Sequence, residues 1–114
     1  MNWVRIAALS MALTVILGSF GAHALKAKLT PEMLEIFRVG VLYQIIYSLS
    51  IFVAAWRLSM GFPKANTAAW LFLAGILFFS GSLYGLSLSG IKALGAVTPI
   101  GGLCFLVGWI VLAL

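Results

Sequence analysis

Four apolar runs, each near the length a helix needs to cross a bilayer, constrain this 114-residue chain more than anything else in it: Ile6 to Leu25, Val39 to Trp56, Thr67 to Ser89 and Ala93 to Leu114. A helix rises about 1.5 Å per residue, so some 20 apolar residues span a hydrocarbon core of roughly 30 Å. Little chain is left over for anything outside the membrane. The composition agrees, with 64% hydrophobic and 8% charged residues against about 25% charged in soluble domains. Two acids and seven bases cannot cover a water-facing surface. The expectation is an all-α, integral membrane four-helix bundle with short loops, forming one domain over residues 1–114 with helices at about 6–25, 31–56, 67–89 and 93–114.

The net charge of +5 is not a nucleic-acid signal, because Arg5, Lys26, Lys28, Arg38, Arg57, Lys64 and Lys92 are scattered singly between the apolar runs. That placement suits anchors at the headgroup level. The single cysteine, Cys104, lies inside an apolar run and can form neither an intramolecular disulfide nor a cysteine cluster. Met1 to Leu25 also has the outline of a signal peptide, with Ala22-His23-Ala24 at the cleavage position. The small-residue pattern in that run favours a retained helix.

Thr30 followed by Pro31 and Glu32 reads as the capped start of the second helix. Gly61-Phe62-Pro63 ends it, Asn66 is placed to cap the third helix, and Ser89 to Lys92 forms a tight turn into the fourth. Short connections make neighbouring helices antiparallel, so both termini share one side. Trp3, Trp56, Trp70 and Trp109 then fall at that same end, as an interfacial belt would. Three bases mark the terminal end and four the other, a count that does not choose an orientation. Burial of Arg38 in the second helix would tip it toward cytoplasmic termini in an inner membrane, with dual topology as the other arrangement.

Ser10, Thr14, Gly18 and Ala22 recur every four residues and make one smooth face on the first helix. Gly81 with Gly85 on the third and Cys104 with Gly108 on the fourth do likewise. In lipid such faces let backbones approach closely. They serve packing within the bundle or between copies, and the small size of the bundle favours a homo-oligomer. Pro99, about six residues into the fourth run, would leave the Gly95 carbonyl without its helical partner. Irregular backbone at membrane depth needs polar company. His23, Tyr43, Gln44, Tyr84, Ser87 and Thr98, with Ser82 nearby, stand at a similar depth and form a candidate cluster, either an interhelical lock or a place for a ligand, ion or headgroup. His23 has no second histidine with which to share a metal, and no cofactor is expected.

No Asp occurs, both Glu lie near the interface, and no catalytic triad can be assembled, so the chain is not expected to be an enzyme. Membrane lipid is the expected partner, with any small-molecule ligand unknown. Two roles fit: a lipid-binding, small-molecule-binding or scaffold protein, or a small oligomeric channel or transporter. The terminal halves of the helices offer little polarity beyond Ser10, Thr14, Ser50 and Thr67, which favours the first.

The stretches GSFGAHAL (Gly18 to Leu25), FRVGVLYQ (Phe37 to Gln44), FSGSLYGLSLSG (Phe79 to Gly90) and LGAVTPIGGLCFLVGW (Leu94 to Trp109) touch all four runs. Together they resemble the family of small membrane proteins that includes bacterial YgdD and eukaryotic transmembrane protein 256, a domain of unknown function. The resemblance implies a four-helix inner-membrane or organelle-membrane protein without an established activity. Where many members resemble YQxxH in the second helix, this chain has YQIIY, with Tyr47 at the histidine position. A shared function needing two histidines does not carry over, whereas a hydrogen-bonding role does.

Overall fold

A computed structural model describes residues 2–114. Four helices long and apolar enough to span a membrane make up the chain: α1 (Trp3–Leu25), α2 (Pro31–Ser59), α3 (Ala65–Ser89) and α4, which is α-helical over Thr98–Ala113. No strand occurs among the described residues. Short links make successive helices antiparallel, and both chain ends lie at one end of the bundle.

Local chemistry sets the helix limits. Thr30 is extended at ψ 157° and its hydroxyl accepts the Met33 N–H at 3.2 Å, while Pro31 occupies the first helical position, where an amide hydrogen has no partner to lose. The 29 residues of α2 run for about 43 Å, longer than the hydrocarbon core, so its ends reach the headgroup zones. α3 ends at Gly90, whose φ of 72° is a left-handed cap that a side chain would resist.

Three expectations about these limits are corrected. Asn66 does not cap α3: the helix begins at Ala65, and the Asn66 Oδ1 accepts the Trp3 indole N–H at 2.8 Å. Pro99 does not interrupt a long fourth helix. Lys92–Ala96 is a 3₁₀ segment, and Pro99 sits in the first turn of the α-helix that starts at Thr98, so its missing N–H falls where it is tolerated. Arg38 is exposed, which removes the reason for placing the termini in the cytoplasm.

The bundle is flattened, with extents of 48 × 26 × 18 Å. α2 is central: α1 packs along one side of it and α3 along the other, and α4 packs chiefly on α3. Rings fill the space among α2, α3 and α4. Tyr47 lies parallel to Phe105 with centroids 3.5 Å apart, and Tyr43 meets Phe79 at 4.5 Å. Glycines opposite these rings make room for them. A Cβ at Gly75 would come within 2.3 Å of the Phe105 ring, and one at Gly108 within 2.6 Å of Phe72. α3 and α4 thus each present a ring to a glycine of the other.

Two helices carry π-helical turns, Ile16–Gly21 in α1 and Ile76–Ser80 in α3. Against the second lies Gly101, where a Cβ would meet the Phe79 backbone nitrogen at 2.4 Å. Backbone rests on backbone there. The same wide turn carries Ser80, whose buried hydroxyl donates to the Gly40 carbonyl of α2 at 2.7 Å.

Candidate functional site: a polar chain across three helices

In an apolar interior a polar side chain must find a partner inside the protein, because no water competes to satisfy it. Four side chains do so together near the middle of the bundle. Tyr84 of α3 donates its phenol to Gln44 Oε1 of α2 at 2.6 Å. The Gln44 amide nitrogen then donates to the Ser10 hydroxyl of α1 at 3.1 Å, with a longer contact of 3.4 Å to the Ser10 carbonyl. The Ser10 and Ser48 hydroxyls lie 2.6 Å apart. The Ser10 oxygen accepts from Gln44, and either serine can donate to the other.

Burial makes the chain consequential. Gln44 is 3% exposed and Ser48 fully buried. No buried side-chain nitrogen or oxygen among the described residues lacks a partner. A buried chain of this kind ties α1, α2 and α3 into one register. What it can do chemically is hold geometry, since each of its polar side-chain atoms already has a partner within it.

The structure divides the expected cluster. Gln44 and Tyr84 come together as described. Thr98 pairs instead with Ser82, hydroxyl to hydroxyl at 2.6 Å, tying the start of α4 to α3. The Ser87 hydroxyl donates to the Tyr84 carbonyl of its own helix at 3.1 Å. Tyr43 belongs to the ring cluster. His23 is exposed in the last turn of α1, and Gly95 lies in the 3₁₀ segment, so neither joins the chain. With Pro99 in a first turn, the backbone gap around which these residues were expected to gather is not there. Among the described residues no group of three or more His, Cys, Asp or Glu could hold a metal.

The small-residue positions divide as well. Ser10, Thr14 and Ala22 are buried or half-buried, and Gly108 receives Phe72. Gly18 is exposed, with the Val41 side chain 3.3 Å from where a Cβ would stand. At Gly85 a Cβ would meet only the end of Leu94, at 2.9 Å. Gly81 faces outward, and a Cβ there would find nothing nearer than its own helix's Ile76 oxygen at 4.0 Å. Sequence reasoning missed Gly40, Gly75 and Gly101, none of which has a small partner at four-residue spacing, and it missed Ser48 as the end of the polar chain. Ser48 lies four residues after Gln44 on the same face of α2, and that spacing could have found it.

At the terminal end the tryptophans differ from one another. Trp56, Trp70 and Trp109 are 60%, 46% and 40% exposed, as a belt requires, whereas Trp3 is 3% exposed and packs edge-on against Trp70 at 5.0 Å. Tyr47, at the position where a histidine was expected, accepts the Trp109 indole N–H at 3.2 Å while stacked on Phe105.

Four apolar spanning helices, a lipid-facing exterior and an internally satisfied polar core define a multi-pass α-helical membrane protein. The chain belongs to the DUF423 family, described as "Protein of unknown function (DUF423)", whose model matches residues 17–102. It is similar to the UPF0382 membrane protein YwdK of Bacillus subtilis, 42% identical over 113 residues covering 96% of this chain and 91% of that one. The UPF0382 membrane protein SERP0230 of Staphylococcus epidermidis is 39% identical over 112 residues, covering 98% and 92%. A third, SAB0533 of Staphylococcus aureus, is 40% identical over 110 residues, covering 96% and 90%. No solved structure matches the chain.

Proposed function

We propose that this protein is a non-enzymatic membrane scaffold whose working surface is its lipid-facing exterior, with the internal polar chain serving as a lock. One observation carries this reading: Ser10, Ser48, Gln44 and Tyr84 answer one another's hydrogen bonds. A conduit or ligand site works with donors and acceptors held ready for a guest, and here the Gln44 amide and the Tyr84 phenol are engaged within the chain. In this reading the chain sits in an inner membrane, where spanning proteins are helical rather than barrels. Its unpartnered outer faces on α1 and α4 meet lipid or further copies of the chain in a homo-oligomer.

Flux through liposomes containing the purified protein tests the reading. The expected result is that passage of water, protons and small solutes equals that of empty liposomes, and that Gln44→Leu lowers thermal stability without altering flux. Flux well above the empty liposomes, abolished by Gln44→Leu, would overturn it.

A further inference from the structure

Arg57 stands in the last turn of α2 at the terminal end of the bundle. The two acids of the chain, Glu32 and Glu35, lie in the first two turns of the same helix, roughly 30 to 40 Å away along its axis. No carboxylate side chain of this molecule can therefore neutralise it. The guanidinium is nonetheless held in place. Its Nε donates to the Leu112 carbonyl of α4 at 3.4 Å. Its carbon lies 4.2 Å from the centre of the Phe62 ring, a cation–π contact. These contacts use one N–H and one face, and among the described residues nothing takes the four N–H donors on the two terminal nitrogens.

Beside it runs a groove of about 260 Å³ between α2 and α4, lined by Val53, Arg57, Trp109, Leu112 and Ala113. Every lining side chain but the arginine is apolar or aromatic. Val53, Trp109 and Ala113 are exposed on the bundle's outer side, so the groove faces the bilayer rather than the interior. Its volume is below the 300 to 1,000 Å³ usual for a small-molecule pocket. A fixed planar cation at the membrane edge, with an apolar furrow leading away from it, is complementary to one kind of molecule: an anionic head on a hydrocarbon chain.

We propose that this groove is a binding site for an anionic phospholipid, its phosphate on the free guanidinium edge of Arg57 and its acyl chain along Val53, Trp109 and Leu112. The arginine fork suits two phosphate oxygens at once, as an ammonium does not. The inference rests on the reading of the exterior as the working surface and adds the lipid class and the place.

The full chain, equilibrated in mixed micelles containing equal amounts of phosphatidylglycerol and phosphatidylcholine with identical acyl chains, is stripped of loosely held lipid and weighed by native mass spectrometry. The wild type should retain phosphatidylglycerol over phosphatidylcholine by about fivefold, the factor one basic residue supplies at an anionic surface. Arg57→Gln should bring that ratio to about one, and Lys64→Gln, at the same end but outside the groove, should leave it unchanged. Val53→Trp, which fills the groove and keeps the charge, should also lower retention, so the site can be tested even if Arg57→Gln does not fold. Equal retention of both lipids by the wild type overturns the proposal, as does an equal fall in the ratio for Arg57→Gln and Lys64→Gln, which would mark diffuse end charge. Displacement of the bound lipid by soluble glycerol phosphate would show that the groove contributes nothing and would overturn it too. Flux through the protein with the lipid preference intact would remove the scaffold reading and leave this site standing.

Discussion

Gln44 uses both ends of its amide, accepting from Tyr84 and donating to Ser10, so among the described residues no other side chain joins three helices by hydrogen bonds as it does. Replacing it with Leu leaves the Tyr84 phenol without its partner and takes one of two from the Ser10 hydroxyl, and the variant should lose about 1–3 kcal/mol of stability in detergent unfolding. A double-mutant cycle of Gln44→Leu with Tyr84→Phe should show coupling of at least about 0.5 kcal/mol, whereas His23→Ala with Gln44→Leu should be additive. That second cycle separates shared depth from contact, for His23 is exposed and makes no bond to the chain. The glycines separate in the same way. Gly101→Ala would press a methyl onto the Phe79 backbone, which cannot swing aside, and should cost about 3 kcal/mol or more in the same assay. Gly81→Ala, in open surroundings within a helix, should stabilise by up to about 1 kcal/mol.

At the scale of elements, the fourth helix carries the clearest test of how an end differs from a middle. Pro99 inside a helix would cost about 3 kcal/mol and kink it, whereas in a first turn its fixed φ is favourable. Pro99→Ala should therefore change the unfolding midpoint little or lower it slightly, and marked stabilisation would mean that the proline had been breaking a continuous helix. Sequence periodicity sees the length of an apolar run, so the four spans, the Thr30 cap and the turn at Gly90 were legible. It does not see the π turns, because one extra residue in a helical turn leaves no mark in composition. Without the π turn at Ile76–Ser80 there was no sign that Gly101 would meet α3 backbone to backbone. The polar chain was half legible: Gln44 and Tyr84 stood out as polar residues at membrane depth, but Ser10 read as a packing residue and as isolated polarity in the terminal half of its helix, not as a partner of Gln44.

For the whole molecule, the central position of α2 explains why one polar chain suffices. α1 packs chiefly on α2, and its register rests on the Ser10 contacts with Gln44 and Ser48 together with the Trp3 bond to Asn66, whereas α4 is set on α3 by interlocking rings and glycines and by the Ser82–Thr98 pair. The two halves of the bundle thus differ in emphasis, with the buried polar chain prominent on the α1 side and ring-to-glycine fit on the α4 side. Loss of the chain should loosen α1 first, leaving the α3–α4 contact intact. The most direct test of a closed lock is the accessibility of its deepest member, read as reaction of Ser48→Cys in a Cys104→Ser background with a membrane-impermeant thiol reagent, with Ser59→Cys at the exposed end of α2 as the positive control. No labelling of position 48 from either side of sealed vesicles, with ready labelling of position 59, is the result this account predicts, and labelling of position 48 from the aqueous phase would contradict it by showing that water reaches the chain.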